Sequence, residues 1–129
     1  MSAALRRSRV LPAVLALALL APAGAIAAPP QAAQREIDGL IAALGRSGCQ
    51  FQRNGTWYPA AEAQAHLRRK YEYLRKRDLV GSAEQFIERA GTRSSISGKA
   101  YAVRCPGQAA LPSSQWLGAR LSEIRHAAP

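Results

Sequence analysis

Apolar residues recur along this chain at two periods, and the switches between them mark out its elements. From Gln34 to Leu44 the residues Ile37, Leu40, Ile41 and Leu44 fall at helical spacing, which predicts an amphipathic first helix. Gly45 and Gly48 are expected to end it, because glycine accepts the left-handed conformation common at helix termini. The run CQFQRNGTWYP then changes to period two. Its Asn54-Gly55 step tolerates the positive φ of a type I′ turn and predicts a hairpin. Pairing outward from the turn sets Arg53 opposite Thr56, Gln52 opposite Trp57 and Phe51 opposite Tyr58. Alternation puts Cys49, Phe51 and Tyr58 on a core face and Trp57 on the opposite one.

Helical spacing returns after Pro59, which suits the first turn of a second helix running to about Arg77. Ala63, Leu67, Tyr71 and Leu74 form its apolar side. After a break at Gly81, the run SAEQ matches a capping box, with Ser82 as N-cap and Gln85 returning the bond. Ala83, Phe86, Ile87 and Ala90 give this third helix a buried side, and Gly91 ends it. TRSSISGK is polar and turn-forming. KAYAVRC follows as a strand with Tyr101, Val103 and Cys105 on one face. PGQAALPSS reads as a loop, and Ser113 or Ser114 is expected to cap a last helix that turns Leu117, Leu121 and Ile124 inward. The order α-β-β-α-α-β-α predicts a small α+β domain of about four helices packed on a short antiparallel hairpin or three-stranded sheet.

The N-terminal pattern differs from all of this. Arg6, Arg7 and Arg9 precede an apolar stretch from Val10 to Ala21, and small residues then offer an A-x-A site at Ala25-Ile26-Ala27. That order is expected of a cleaved secretory signal peptide over residues 1–27, leaving residues 28–129 as one mature domain. The stretch is too short, and too broken by Pro12 and Pro22, for a membrane anchor. Three of the eighteen Lys and Arg residues fall in the leader, so fifteen face eight acidic residues and the mature domain carries +7. Such a surplus favours anionic partners. An exported chain with two cysteines is expected to pair Cys49 with Cys105. Closing a loop of about 57 residues would stabilise the fold by roughly 4 kcal/mol. A rival metal site from Cys49, Cys105, His66 and His126 lacks close-spaced ligand pairs, so neither metal nor cofactor is expected.

Two clusters could carry chemistry. His66, Lys70, Tyr73 and Arg77 form one stripe along the second helix, about a right angle from its apolar side. They offer an imidazole, cations and a phenol to an anion or a sugar, although a half-exposed helix flank needs the same residues. The segment from Arg93 to Lys99, with Ser95, Ser97 and Gly98, could cradle a phosphate. Its spacing departs from G-x-x-x-x-G-K-[ST], and Ile96 stands where S-x-x-K requires a serine. The basic run HLRRKYEYLRKR spreads its arginines around the helix, and Glu72 faces Arg68 and Lys76 at i±4, so no specific nucleic-acid interface is expected.

The runs SGCQFQRNGTWYPAAEAQAHLRRKYEYL, SAEQFIERAGTRSSISGKAYAVRCPG and WLGARL resemble a family of small exported bacterial proteins called YfeK-like, a domain of unknown function. The resemblance spans Gln31 to Arg125. Its distinctive positions are Cys49, Phe51, Arg53, Asn54, Gly55, Trp57, Tyr58, His66, Leu67, Lys70, Tyr71, Ser94, Ser95, Ser97, Gly98, Tyr101, Arg104 and Cys105. It implies a periplasmic or secreted single domain and brings no activity with it. The expected function is a binding module for an anionic envelope component or a protein partner. The predicted contacts are His66, Lys70, Tyr73, Arg77, Ser95, Ser97 and Lys99, with Trp57 as an aromatic contact. Binding is favoured over catalysis. The alternative is a small envelope hydrolase or transferase using His66 with a Ser95 or Ser97 hydroxyl.

Overall fold

The computed structural model describes residues 3–4, 9–18 and 30–128. The described N-terminal residues, 3–4 and 9–18, carry no helix, and the expected cleavage site Ala25-Ile26-Ala27 lies outside the described residues. The first helix, α1 (Gln31–Gly45), starts earlier than its apolar spacing predicts, because Pro30 forms the N-cap and Ala33 is already buried. Ile37, Leu40, Ile41 and Leu44 are fully buried. The two glycines after this apolar run play different parts. Gly48 takes a φ of +70°, whereas Gly45 closes the helix where a Cβ would strike the Gln64 side chain.

The hairpin forms in the expected register. Strands β1 (Gln50–Arg53) and β2 (Thr56–Pro59) pair Phe51 with Tyr58 and Gln52 with Trp57, and Asn54 and Gly55 have φ of 50° and 82°. Pro59 pairs with Gln50, so it belongs to the strand, and α2 (Ala60–Arg75) begins one residue later. That helix ends before Arg77, where Asp78 adopts a φ of 53° and Leu79 N–H returns to the Leu74 carbonyl at 3.0 Å. Ser82 caps α3 (Ala83–Ala90) by accepting from Gln85 N–H at 3.1 Å. The Gln85 side chain reaches back one residue further than a capping box requires, to Gly81 N–H at 2.7 Å. Gly91 has an ordinary φ; a Cβ there would overlap Leu117, so glycine lets α3 close on the last helix.

Strand β3 (Ala102–Arg104) lies beside β1, and Leu111–Pro112 adds a short β4 in place of the expected loop, giving an antiparallel sheet ordered β2-β1-β3-β4. The last helix, α4 (Ser113–Ala127), therefore starts straight from a strand. Pro112 is its N-cap, not Ser113 or Ser114. Ser113 is buried, with its N–H held by the Tyr101 carbonyl at 2.9 Å. On the inner sheet face Phe51 and Val103 are buried under the helices, while the outer face carries Gln52, Trp57 and Arg104. Helix α2 packs on β1 and β2, α4 on β3 and β4, and α1 on α2, α3 and α4. The Cys49–Cys105 disulfide ties the start of β1 to the end of β3 across a sequence separation of 56. The fold is the α+β class that the periodicity indicates, with a fourth strand. Among the described residues no helix is long and apolar enough to cross a membrane.

Candidate functional site

The hairpin turn sets the geometry of the site. Alternation puts Arg53 on the same sheet face as Phe51, but at the open end of the strand, where it reaches α2 instead of the core. Burial of Leu67 and Tyr71 fixes the rotation of α2 and leaves His66 and Lys70, one helical turn apart, at its edge. Tyr101 stands at the start of β3, almost fully buried, with its ring 5.0 Å from that of Phe51. The Tyr101 hydroxyl lies 3.1 Å from His66 Nε2 and 3.1 Å from Lys70 Nζ. Arg53 Nη1 meets His66 Nδ1 at 2.5 Å, and its guanidinium lies 4.8 Å from the centre of the Tyr58 ring. Lys70 also donates to the Arg93 carbonyl at 3.1 Å.

The Ser94–Lys99 turn closes the other wall. Ser94 Oγ accepts from Ile96 N–H and Ser97 N–H, each at 3.2 Å, and the Ser94 and Gly98 amides bond within the same turn at 2.9 Å. Ser97 Oγ donates to Asn54 Oδ1 at 2.5 Å, pinning the turn to the hairpin. Between these walls lies a cavity of about 370 Å³ lined in part by Arg53, Tyr58, His66, Lys70, Ser95 and Tyr101.

The hydrogen-bond roles in this cluster follow from donor chemistry. Arg53 has only donors, so His66 Nδ1 must accept, and the neutral ring then carries its proton on Nε2. His66 and Lys70 therefore both donate to the Tyr101 oxygen. That fills both of its lone pairs, and its own O–H finds no protein acceptor among the described residues. Burial, followed by the charges of Arg53, Lys70 and Arg69, lowers the His66 pKa to about 4. Burial and Arg53 lower Lys70 to about 8, and burial raises Tyr101. Among the described residues Arg53, Lys70 and Arg93 make no ion pair with a carboxylate. Glu62 lines a smaller neighbouring cavity of about 130 Å³ with Arg53 and His66, unpaired with either. A larger groove of about 610 Å³ runs between the disulfide and α4. There Arg120 pairs with Glu123 at 2.7 Å, leaving Arg46 as a single cation without an ion pair among the described residues. The Arg53–Tyr101 cavity instead gathers Arg53 and Lys70 around one hydroxyl, so chemistry favours it over the larger groove.

The predicted contacts divide. His66, Lys70 and Ser95 line the cavity, and Ser97 holds its rim. Lys99 is exposed and supplies only backbone bonds to the turn. Tyr73, 57% exposed, lines an adjoining cavity of about 380 Å³ with Arg69, Lys70 and Arg89. Arg77 lies past the helix end, stacked 3.6 Å from the centre of the Tyr73 ring. Trp57 is on the outer sheet face, under Arg104 at 4.2 Å, and the site lies on the other side of the sheet. Arg53, Asn54, Tyr58, Ser94 and Tyr101 join the site in addition to the predicted contacts. A legible signal existed for Arg53, a charge on the core-facing side of a hairpin.

Neither Ser95 nor Ser97 bonds to His66, whose ring nitrogens face Arg53 and Tyr101. The disulfide removes both sulfurs from the rival metal set. No group of three or more His, Cys, Asp or Glu among the described residues is placed to hold a metal ion.

A family model described as "Family of unknown function (DUF5329)" matches residues 31–125. The chain belongs to that family. The match thus covers every helix and strand of the fold except the last two residues of α4, and all of the candidate site. The chain is similar to "Uncharacterized protein YfeK" of Salmonella typhimurium, with 37% identity over 94 residues, covering 72% of this chain and 75% of that protein. No solved structure matches it.

Proposed function

We propose that this domain is an exported anion-binding module that recognises an anionic component of the cell envelope through Arg53, His66, Lys70 and Tyr101. One observation carries the reading. Two donors converge on the Tyr101 hydroxyl beside a guanidinium, and no carboxylate balances them. Only Nη1 of Arg53 is engaged, so most of the fork is free for an oxyanion, as are one ammonium proton of Lys70 and the phenol O–H. A ligand anion would supply the missing acceptor and the missing charge together. His66 acts as a neutral positioning group between Arg53 and Tyr101; a pKa near 4 and the lack of a bonded serine make it a poor general base. The charge surplus, the disulfide and the leader pattern support a place outside the cytoplasm.

Co-sedimentation of the oxidised protein with isolated cell-wall sacculi and with lipopolysaccharide, at low and physiological salt, tests this. Charge-assisted hydrogen bonds contribute about 1.5–3 kcal/mol each, so Lys70→Glu is expected to weaken binding by about tenfold or more. Binding that disappears uniformly with salt and ignores Lys70→Glu would reduce the site to nonspecific charge.

A further inference from the structure

The exposed apolar residues of the domain are not scattered. Within residues 30–128 the large apolar side chains that face solvent are Tyr73 at 57%, Leu79 at 41% and Ile96 at 96% exposure. Ile96 lines the Arg53–Tyr101 cavity, and Tyr73 lines the cavity next to it. The two cavities share His66, Lys70 and Ser95, so they form one continuous face. Arg89 lines the second cavity and donates to the Leu79 carbonyl at 2.5 Å, which brings Leu79 to the border of the same face. Arg53, Arg69, Lys70 and Arg89 are interleaved with these side chains, and Arg93 and Lys99 flank the turn. None of these six cations is in an ion pair among the described residues.

Isolated exposed apolar residues are ordinary. Ile96 is different because of how it is held. Its turn is cross-braced by Ser94 Oγ, by the Ser94–Lys99 and Gly98–Ser94 backbone bonds and by the Ser97–Asn54 bond. A rigid turn thus projects a branched aliphatic side chain into water at the mouth of a cationic cavity, with an exposed tyrosine nearby. Apolar tips and an aromatic ring surrounded by unpaired Lys and Arg are the composition that settles at an anionic bilayer surface, where aliphatic groups enter the acyl boundary and cations meet headgroups. A soluble anion would need the cations but would gain nothing from Ile96.

We infer that the anion is the headgroup phosphate of a phospholipid of net negative charge in a bilayer, held by Arg53, Lys70 and Tyr101 while Ile96 inserts beside it. The inference rests on the anion-binding reading of that cluster. The domain docks peripherally, with the Ser94–Lys99 turn facing the membrane and the outer sheet face with Trp57 turned away.

Flotation of the oxidised protein with phosphatidylcholine vesicles, with and without phosphatidylglycerol, is the direct experiment, alongside titration with soluble glycerol phosphate. Binding is expected only to the vesicles containing phosphatidylglycerol. Ile96→Ser, at a site too exposed to disturb folding, is expected to weaken vesicle binding about tenfold and leave glycerol phosphate binding unchanged. Ile96→Trp should restore vesicle binding and add a blue-shifted emission on vesicles. Lys70→Met should weaken both ligands. If Ile96→Ser binds vesicles like the parent, or glycerol phosphate binds while anionic vesicles do not, the membrane inference is wrong and the anion site stands. If neither probe binds and sacculi and lipopolysaccharide also fail to sediment the protein, the anion-binding reading falls with it.

Discussion

Around the Tyr101 hydroxyl, one oxygen serves two donors that have no other side-chain acceptor. Tyr101→Phe would leave the His66 Nε2–H half-buried and unmatched and Lys70 with only the Arg93 carbonyl. It is expected to cost about 1–3 kcal/mol of stability, read as a lower urea midpoint, and to weaken anion binding in the same preparation. The charge balance of the site also sets a pH dependence. The folded His66 pKa of about 4 lies below its ordinary value of 6.5, because burial and then Arg53, Lys70 and Arg69 disfavour the imidazolium. Between those values the unfolded chain binds the extra proton, so stability rises with pH through this window and is lost as pH falls from about 6.5 toward 4. His66→Gln should flatten that part of the profile. An NMR titration should find the His66 ring neutral at pH 5.5, and a saturating anion should move its midpoint upward by offsetting the neighbouring cations. A midpoint near 6.5 without ligand would contradict the buried, cation-flanked geometry. Arg53 shows how a residue can be visible in the sequence while its role is not. Its face follows from alternation, but its partner sits on a helix thirteen residues later.

At the scale of elements, local sequence chemistry places the hairpin and the buried side of α2. The Asn54-Gly55 turn sets the hairpin register because both residues accept positive φ, and the spacing of Leu67, Tyr71 and Leu74 sets the buried side of α2. The misplacements in the last third of the domain have a tertiary cause. Leu111–Pro112 has too few residues for any period and becomes a strand only because β3 offers it a partner. That pairing moves the start of α4 and buries Ser113, which local chemistry alone would make a cap. Gly91 reads as a conformational stop, but its function is contact. Gly91→Ala would drive a methyl group into Leu117, and such overpacking costs about 1–3 kcal/mol. Gly118→Ala, on α4 with open space around it, should instead be neutral or stabilising by up to about 1 kcal/mol. Paired urea denaturations of the two variants would separate packing from helix propensity.

Over the whole molecule, a thin core and one covalent tie share the work of holding the sheet to the helices. The disulfide joins β1 and β3, which neighbour each other in the sheet but lie 56 residues apart in sequence. On the chain-entropy account, Cys49→Ser with Cys105→Ser should lower stability by about 4 kcal/mol, measured by thermal unfolding. A loss below about 1 kcal/mol would show that β1 and β3 are held by packing alone. The surface ion pairs, including Arg125 with Glu36 and Glu84, are exposed and contribute little by comparison. The sequence by itself determined the helices, the hairpin and its register, the α+β class and the cysteine pair, since each follows from periodicity, turn chemistry or count. The tertiary structure alone decided the site. Arg53, His66, Lys70, Ser95 and Tyr101 come from four separate stretches of chain, and their meeting depends on how α2 lies across the hairpin and how the Ser94–Lys99 turn is pinned to Asn54. Trp57 stays outside the group because alternation turns it to the outer sheet face, and Arg77 because α2 ends before it. No local pattern records how close the residues of the site come to one another.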